Sequence, residues 1–536
     1  MTTECLPVTS LPGQSRLYLD YCAVGSAVQS WYGAPVRDRR WQGTPSPHDN
    51  VDRASLVDLL AAQNPDNRLT SSLDALRQGA NAVVTGQQVG LFGGPLFTIH
   101  KAATAVAQAR QATESGHPHV PVFWLASEDH DFPEINHVTF PARRELEKLT
   151  YATEPAAAVP VGTVVLDDSI LPILDRAWEL VGYSDAMEWL TAAYKPGKTL
   201  AAAFAEFYSN AFASQGLLVL DPAGREAHRL GSPVLRAAVE RADELHEALL
   251  ARNREITAAG YTAQVAVAER GSLLFLVDDR SGARIALKRT PATTSEPGGL
   301  WQAGRQNYST NELLGILESE PERISPSALL RPVFQDQILP TSAYIGGAAE
   351  IAYFAQSAVL YERILGRLTP VLPRLSATLV EPAIAELLDL HELSFETVLE
   401  STQESLAQRL AARAMPIEGK RRLSATGNAL DVELSALTDY MRSVDEGLGR
   451  SADVSASKMR YQMNRLRRMA ANFELQKEAS LGRHAQAVIH ALYPHNGLQE
   501  RTLGAAWFLA RYGESLIETL VAEGADGCPG HKLIRL

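Results

Sequence analysis

Residues 83–101 read VVTGQQVGLFGGPLFTIHK. The segment enters apolar, breaks at Thr85-Gly86-Gln87-Gln88 and runs through Gly90, Gly93, Gly94 and Pro95. It leaves through Thr98-Ile99-His100-Lys101 into an alanine-rich run at 102–109. That order predicts a strand, a glycine-rich loop and a helix. Such a loop leaves backbone N–H groups unpaired at a helix N-terminus, where the peptide dipoles favour an anion. The expectation is an anion cradle made by Gly86, Gln87, Gln88, Gly90, Gly94 and Thr98, with His100 and Lys101 beside it. The alternative is a turn whose polar residues only cap the helix.

The next segment supports a βαβ unit. VPVFWLA at 120–126 is a short continuous apolar run, as expected for a strand buried on both faces. Ser-Glu-Asp-His-Asp-Phe-Pro-Glu-Ile-Asn-His follows at once. In parallel sheets ligands bind beyond the C-terminal strand ends, and both polar clusters fall there. Glu128, Asp129, His130 and Asp131 could serve as general acid or base groups. With Glu134 and His137, which have the ExxH spacing, they could also hold a metal. No second ExxH or HxxxH accompanies them, and a solvated loop is the third reading.

A further strand ends at Asp221-Pro222. Residues 331–356 then repeat the theme as strand, Gly346-Gly347 turn and helix. Gln335, Asp336, Tyr344, Gly346, Gly347, Glu350, Tyr353 and Gln356 form the third polar cluster. Ligand recognition and polar packing in the core are both open for it.

The remaining chain reads as connections and appendages. Residues 1–50 suggest an irregular arm, and 51–80, 168–213 and 224–259 suggest helices. Alternating runs over 261–290 around Arg280-Ser281-Gly282 indicate a β-hairpin in a small insertion, with a loop at 291–310. From about 382 the pattern is helical. Leu430, Leu434, Leu437, Met441, Val444 and Leu448 step as heptads. So, after a change of register, do Ala452, Ala456, Met459, Met463, Leu466, Ala470 and Phe473. A polar segment at 415–428 suggests the turn of an antiparallel coiled-coil hairpin. The basic run Lys458, Arg460, Arg465, Arg467 and Arg468 reads as its solvated flank or as a contact for phosphate or a partner. The expected organisation is an N-terminal arm and core at 1–225, an insertion at 226–325 and the rest of the core at 326–381. A coiled-coil arm at 382–485 and a returning helix at 486–536 complete it.

The chain has 536 residues, too many for one core, so about two to four structural units are expected. A net charge of −12 argues against nucleic acid as a partner. The three cysteines, Cys5, Cys22 and Cys528, are far apart in sequence and suggest neither a disulfide framework nor a zinc site. Cys528 reads as an exposed terminal thiol. The N-terminus lacks the pattern of a signal peptide, and no run reaches the roughly 18–20 apolar residues of a membrane span. A cytoplasmic protein is expected.

Together, residues 83–101, 120–138 and 331–356 resemble the bacillithiol biosynthesis cysteine-adding enzymes. Pro373-Arg374-Leu375-Ser376-Ala377-Thr378-Leu379, Asn472-Phe473 and Leu498-Gln499-Glu500-Arg501 also fit that family, so the resemblance spans nearly the whole chain. It departs at Ala348, where a proline is expected. The resemblance implies an α/β fold: a Rossmann-type parallel sheet with inserted connecting regions and a C-terminal antiparallel coiled coil. It implies a ligase that joins L-cysteine to the amine of glucosaminyl-malate, and it allows a homodimer. Thr98-Ile99-His100-Lys101 is similar in placement to the nucleotide-contacting motif of class I aminoacyl-tRNA synthetases. Amide formation needs an activated carboxylate, for which ATP with Mg is one route and another activator the other. On this reading His100, Lys101, Asp129, His130 and Asp131 are catalytic. Gly86, Gln87, Gln88, Gly90, Gly94 and Thr98 bind the activator. Glu128, Asp336, Tyr344, Gly346, Gly347 and Glu350 bind substrate, with Lys101 or Arg331 as the cation for malate. Two other readings stand: a metal-dependent hydrolase using Glu128, His130, Glu134 and His137, and a non-catalytic coiled-coil scaffold.

Overall fold

The computed structural model describes residues 3–33, 39–43, 51–290, 300–526 and 528–536. Its centre is a five-stranded parallel sheet built from β1 (Asn81–Gln87), β2 (His119–Leu125), β3 (Leu218–Leu220), β4 (Thr341–Gly346) and β5 (Val371–Pro373). The order across the sheet is β5-β4-β1-β2-β3. β1 and β2 pair over their full lengths, from Asn81↔His119 to Gln87↔Leu125. Successive residues face opposite sides, as strand geometry requires. Val84, Val122 and Trp124 enter one core, while Phe123, Leu125 and Val219 enter the other. The helix Phe97–Glu114 carries the chain from β1 to β2 and is buried at Ile99, Ala102, Ala103 and Val106. The chain next adds β3 outside β2, then returns to lay β4 on the other side of β1. Strand order therefore reverses between β1 and β4, which opens a crevice at their C-terminal ends.

The expected hairpin is present as Gly271–Val277 and Arg284–Thr290. It belongs to a larger antiparallel sheet, because Leu300–Ala303 and Gln306–Ser309 add two strands where a loop was expected. Trp301, fully buried, explains why that segment is ordered. Residues 291–299 of the expected loop lie outside the described residues. The segment expected to lead straight into β4 as a strand is instead the helix Arg331–Ile338. Pro332 sits in its first turn, where its fixed φ suits a helix and no N–H is missed.

The N-terminal segment is more regular than expected. Thr3–Leu6 is a strand and Arg16–Cys22 a helix; residues 34–38 and 44–50 lie outside the described ones. Thr3–Leu6 pairs antiparallel with the C-terminal strand His531–Arg535, which runs parallel to Ser376–Val380. This small sheet joins the two ends of the chain. It also corrects the reading of the cysteines: Cys5 and Cys528 form a disulfide across 523 residues. Pairing of Cys5 with Lys532 in the sheet brings them together, and no spacing in the sequence carries that.

The arm is an antiparallel pair of helices, Ile417–Val444 and Glu446–Lys477. Its turn is at Asp445, whose side chain caps the Leu448 N–H at 2.9 Å, and not at 415–428. Met415-Pro416 only bends the chain after Gln403–Ala414, and residues 417–428 continue as helix. The change of heptad register near 450 is thus the tip of the hairpin. The buried seam uses Gly427, Leu434 and Thr438 against Gly449, Ala456, Met463 and Ala471. Leu437, Val444, Leu448, Met459, Leu466 and Phe473 remain exposed. Beyond the arm, the helix Ala505–Ala525 packs along Phe97–Glu114, with Gly524 against Thr104. No helix among the described residues is long and apolar enough to cross a membrane.

Candidate active site

The two halves of the glycine-rich loop behave differently. Gly86, Gln87 and Gln88 end β1 and line a cavity of about 280 Å3 in the crevice. Val89 to Gly94 turn back into the core. Gly93 N–H donates to the Tyr194 hydroxyl at 3.0 Å, which itself donates to Gly90 O at 3.1 Å, and Tyr208 donates to Gly93 O at 2.9 Å. Gly93 has φ +82 and no room for a Cβ against Phe207. Leu96 N–H donates to Leu503 O, and Ala505 N–H donates to Gly94 O. The expected cradle is therefore absent at Gly90, Gly94 and Thr98, because protein groups occupy the loop and cover the helix N-terminus. None of the three lines the cavity.

Lys101 lines the cavity but is almost wholly buried and fully committed. Its ammonium donates to Gly86 O at 2.7 Å and Gln87 Oε1 at 3.0 Å, and pairs with Glu350 Oε2 at 2.5 Å. Those contacts use its three donors. Burial pulls the Lys101 ammonium below its ordinary range against the attraction of Glu350. Burial would raise Glu350, but Lys101, the Gly347 N–H and the Tyr344 hydroxyl outweigh it and hold the carboxyl low. Tyr344 donates to Glu350 Oε1 at 2.7 Å and Gly347 N–H donates to Oε2 at 2.8 Å. Lys101 thus fixes the end of β1 to the start of the helix Ala348–Ile364. The free cationic capacity lies elsewhere. Among the described residues the Arg331 guanidinium donates only to the Tyr353 hydroxyl, at 3.3 Å, and no hydrogen-bonded partner is seen for the Arg501 guanidinium. Lys101, Arg374 and Arg501 surround the Phe97 ring at 5.9, 5.3 and 6.0 Å.

The acidic side of the cavity is Asp129 and Glu134, bridged by Gln88 Nε2 at 2.8 Å to each. Burial would raise Asp129, but Gln88, the His130 N–H, Arg331 and Arg284 bring its carboxyl below the usual range. It is therefore ionised.

His100 does not reach the cavity. It is fully buried behind it, Nδ1 lying 3.2 Å from Glu500. Burial keeps the imidazole below its ordinary range, and Glu500 is held far down by Arg374 and His100 in spite of burial. Arg374 meets Glu500 through two bonds of 2.8 and 2.6 Å. Asp336 is likewise a buried structural acceptor. Tyr361 donates to it at 2.8 Å and Thr369 at 2.5 Å. Asp131 is exposed and caps the short helix Phe132–Ile135. Gly346 lies one step behind the wall, its carbonyl accepting from the Arg374 N–H.

A second chamber of about 340 Å3 adjoins the first and shares Trp124, Asp129 and Arg331 with it. Glu128 and His130 line this chamber. Glu128 pairs with buried His228 at 2.8 Å, and His130 Nδ1 lies 3.1 Å from Arg284. Glu134 turns to Gln88 and His137 to Asn136. The four residues of the hydrolase reading thus take four separate partners. Among the described residues no three His, Cys, Asp or Glu side chains are grouped to hold a metal ion.

Arg374, Glu500, Arg501, Arg284 and His228 were given no role from sequence. Arg374, Glu500 and Arg501 do sit in the short motifs at 373–379 and 498–501, which is the signal that could have found them. Arg284 and His228 carry no such signal.

Residues 1–375 match the family model described as the bacillithiol biosynthesis BshC N-terminal Rossmann-like domain, and residues 377–536 match the BshC C-terminal coiled-coil domain. A protein of Koribacter versatilis named "Putative cysteine ligase BshC" is 40% identical, with both chains covered completely. Proteins of the same name from Solibacter usitatus and Geobacillus thermodenitrificans are 34% and 28% identical, covering 100% and 98% of each chain.

Proposed function

The chain belongs to the BshC family of bacillithiol biosynthesis, and from that membership we propose that it is a carbon–nitrogen ligase joining L-cysteine to the amine of glucosaminyl-malate. One observation supports this reading above the others. The crevice cavity combines the carboxyl groups of Asp129 and Glu134 with the unsaturated guanidinium groups of Arg331 and Arg501. That mixture suits a substrate carrying an amine and two carboxylates.

In this reading the malate carboxylates lie on Arg331 and Arg501. Asp129 orients the amine, which attacks as the free base once its ammonium proton has gone to water. The nitrogen becomes strongly acidic as its bond to the cysteine carbonyl forms, so a carboxylate as weakly basic as Asp129 suffices to take the second proton. Gln88 keeps Asp129 and Glu134 aimed together, and the Lys101–Glu350 pair holds the β1 and β4 ends at fixed separation. His100 acts as a positioning residue through Glu500 and Arg374. A nucleoside triphosphate, when bound, would supply the activating group, and the same arginines, rather than the glycine loop, would hold its phosphates. The enzyme is proposed to work in the cytoplasm.

The exposed residues of the arm support a homodimer. Leu437 and Val444 on one helix, and Met459, Leu466 and Phe473 on the other, are spaced by sevens and face solvent. A second coiled coil requires that spacing. Light scattering should report twice the chain mass, falling to one on Leu466→Glu with Phe473→Glu.

The activity is tested by incubating purified protein with L-cysteine, glucosaminyl-malate, ATP and Mg and measuring the product mass. The expected product is the two substrates joined with loss of one water. Unchanged substrates under every activator tried would overturn the reading.

A further inference from the structure

All three cysteines of the chain meet at one place. Cys5 and Cys528 are bonded, and Cys528 and Cys22 both line a cavity of about 280 Å3 beside the small sheet. This cavity is separate from the crevice, yet Arg374 lines both. Cys5 is exposed, and Cys528 is half-buried with its sulfur accepting from the Gly530 N–H at 3.4 Å. Exposed Arg39 stands in the cavity wall. Lys532 lies deeper, neutralised by Glu523 at 2.7 Å and Asp526 at 2.8 Å. A disulfide reachable from a cavity with a cationic wall is open to an anionic thiol. Exposed disulfides are the labile ones, and a thiol-rich compartment acts on them.

We propose that this cavity is a thiol-exchange site at which a small thiol carboxylate opens the Cys5–Cys528 bond and remains on Cys528. The incoming thiolate attacks Cys528 Sγ, the sulfur in the cavity wall. The Cys5–Cys528 bond breaks, a bond from Cys528 to the small thiol forms, and Cys5 leaves as a thiolate that takes a proton from water. One disulfide replaces another, so no oxidant or reductant is consumed. The consequence is mechanical. Cys5 no longer ties the strand Thr3–Leu6 to the tail. The tail strand His531–Arg535 pairs with Ser376–Val380, directly after Arg374. Slack in the tail is therefore passed to the arginine that faces the crevice. Exchange itself does not depend on the ligase reading, which only suggests L-cysteine as the probe.

The test uses the full chain purified without reductant and treated with L-cysteine or, in parallel, S-methyl-cysteine. Thiols are then alkylated and the digest is read by mass spectrometry. Without treatment, the peptides of Cys5 and Cys528 should be found linked. L-cysteine should replace that link by alkylated Cys5 and one cysteinyl adduct on Cys528, and S-methyl-cysteine should leave it intact. Cys5→Ser, which removes an exposed side chain, is treated instead with L-cystine and should take the same adduct at Cys528, whose thiolate attacks the cystine disulfide and releases one L-cysteine. Its thermal midpoint should match that of the cysteine-opened wild type. Peptides that are never linked, a link that survives excess L-cysteine, or an adduct confined to Cys5 or Cys22 would each overturn the proposal. These masses are read without amide synthesis, so failure of the ligase assay is a separate result.

Discussion

The front and the back of one strand–loop–helix segment contrast sharply. At the front, Gly86, Gln87 and Gln88 open on the crevice with Asp129, and the arginines across from them have donors to spare. At the back, Gly90 to Gly94 are locked by two tyrosines, and His100, Glu500 and Arg374 form a closed, fully buried chain. The lesson is that Gly90, Gly93 and Gly94 serve close packing and only the first turn lines the crevice. Substitutions behind the wall should cost stability, whereas those in front should cost turnover.

The largest expected effect is at the back. Glu500→Ala leaves Arg374 and His100 buried without their anion, and should destabilise by about 3–5 kcal/mol in denaturant unfolding. A loss confined to activity would erase the contrast. At the front, Asp129→Asn should lower kcat/KM at least ~100-fold, about 2.7 kcal/mol of transition-state stabilisation, with the thermal midpoint unchanged. A coupled drop in midpoint would move Asp129 to the structural side.

A pH effect sharpens the back of the molecule further. His531 lies between Ser376 and Thr378, with contacts of 2.8 Å to each, and burial pushes its imidazole down from 6.5 to about 4. The unfolded chain therefore binds this proton first as pH falls. The contribution is complete above pH 6.5 and is lost on acidification toward pH 4, by about 1–3 kcal/mol. His531→Gln should flatten the stability profile over that window, as followed by unfolding at several pH values. The smallest effect is at Gln88. Gln88→Ala removes two hydrogen bonds that aim Asp129 and Glu134, and should reduce kcat/KM about 3–10-fold in steady-state assays.

Much of this architecture was legible beforehand. The apolar runs ending in polar clusters announced the parallel sheet and the crevice edge, because buried strands have no other reason to stop in charges. Asp129, Gln87, Gln88, Tyr344, Gly347 and Glu350 all line the cavity at that edge. Gly90, Gly94, His100 and Asp336 were misread because composition cannot tell a loop that opens from one that folds inward. The partners that close it, Tyr194, Tyr208, Glu500 and Tyr361, come from distant parts of the chain. The arm's heptads were visible, but its turn was not, since Asp445 and its cap mark the tip more subtly than the polar run at 415–428. The Cys5–Cys528 bond was invisible, since it depends on a sheet joining the two ends of the chain.

A crystal structure of the protein soaked with L-cysteine and glucosaminyl-malate tests the central claim most directly. The account predicts glucosaminyl-malate in the crevice, its carboxylates on Arg331 and Arg501 and its amine within hydrogen-bonding distance of Asp129. Density for the substrate elsewhere on the protein, with the crevice unchanged, would contradict it.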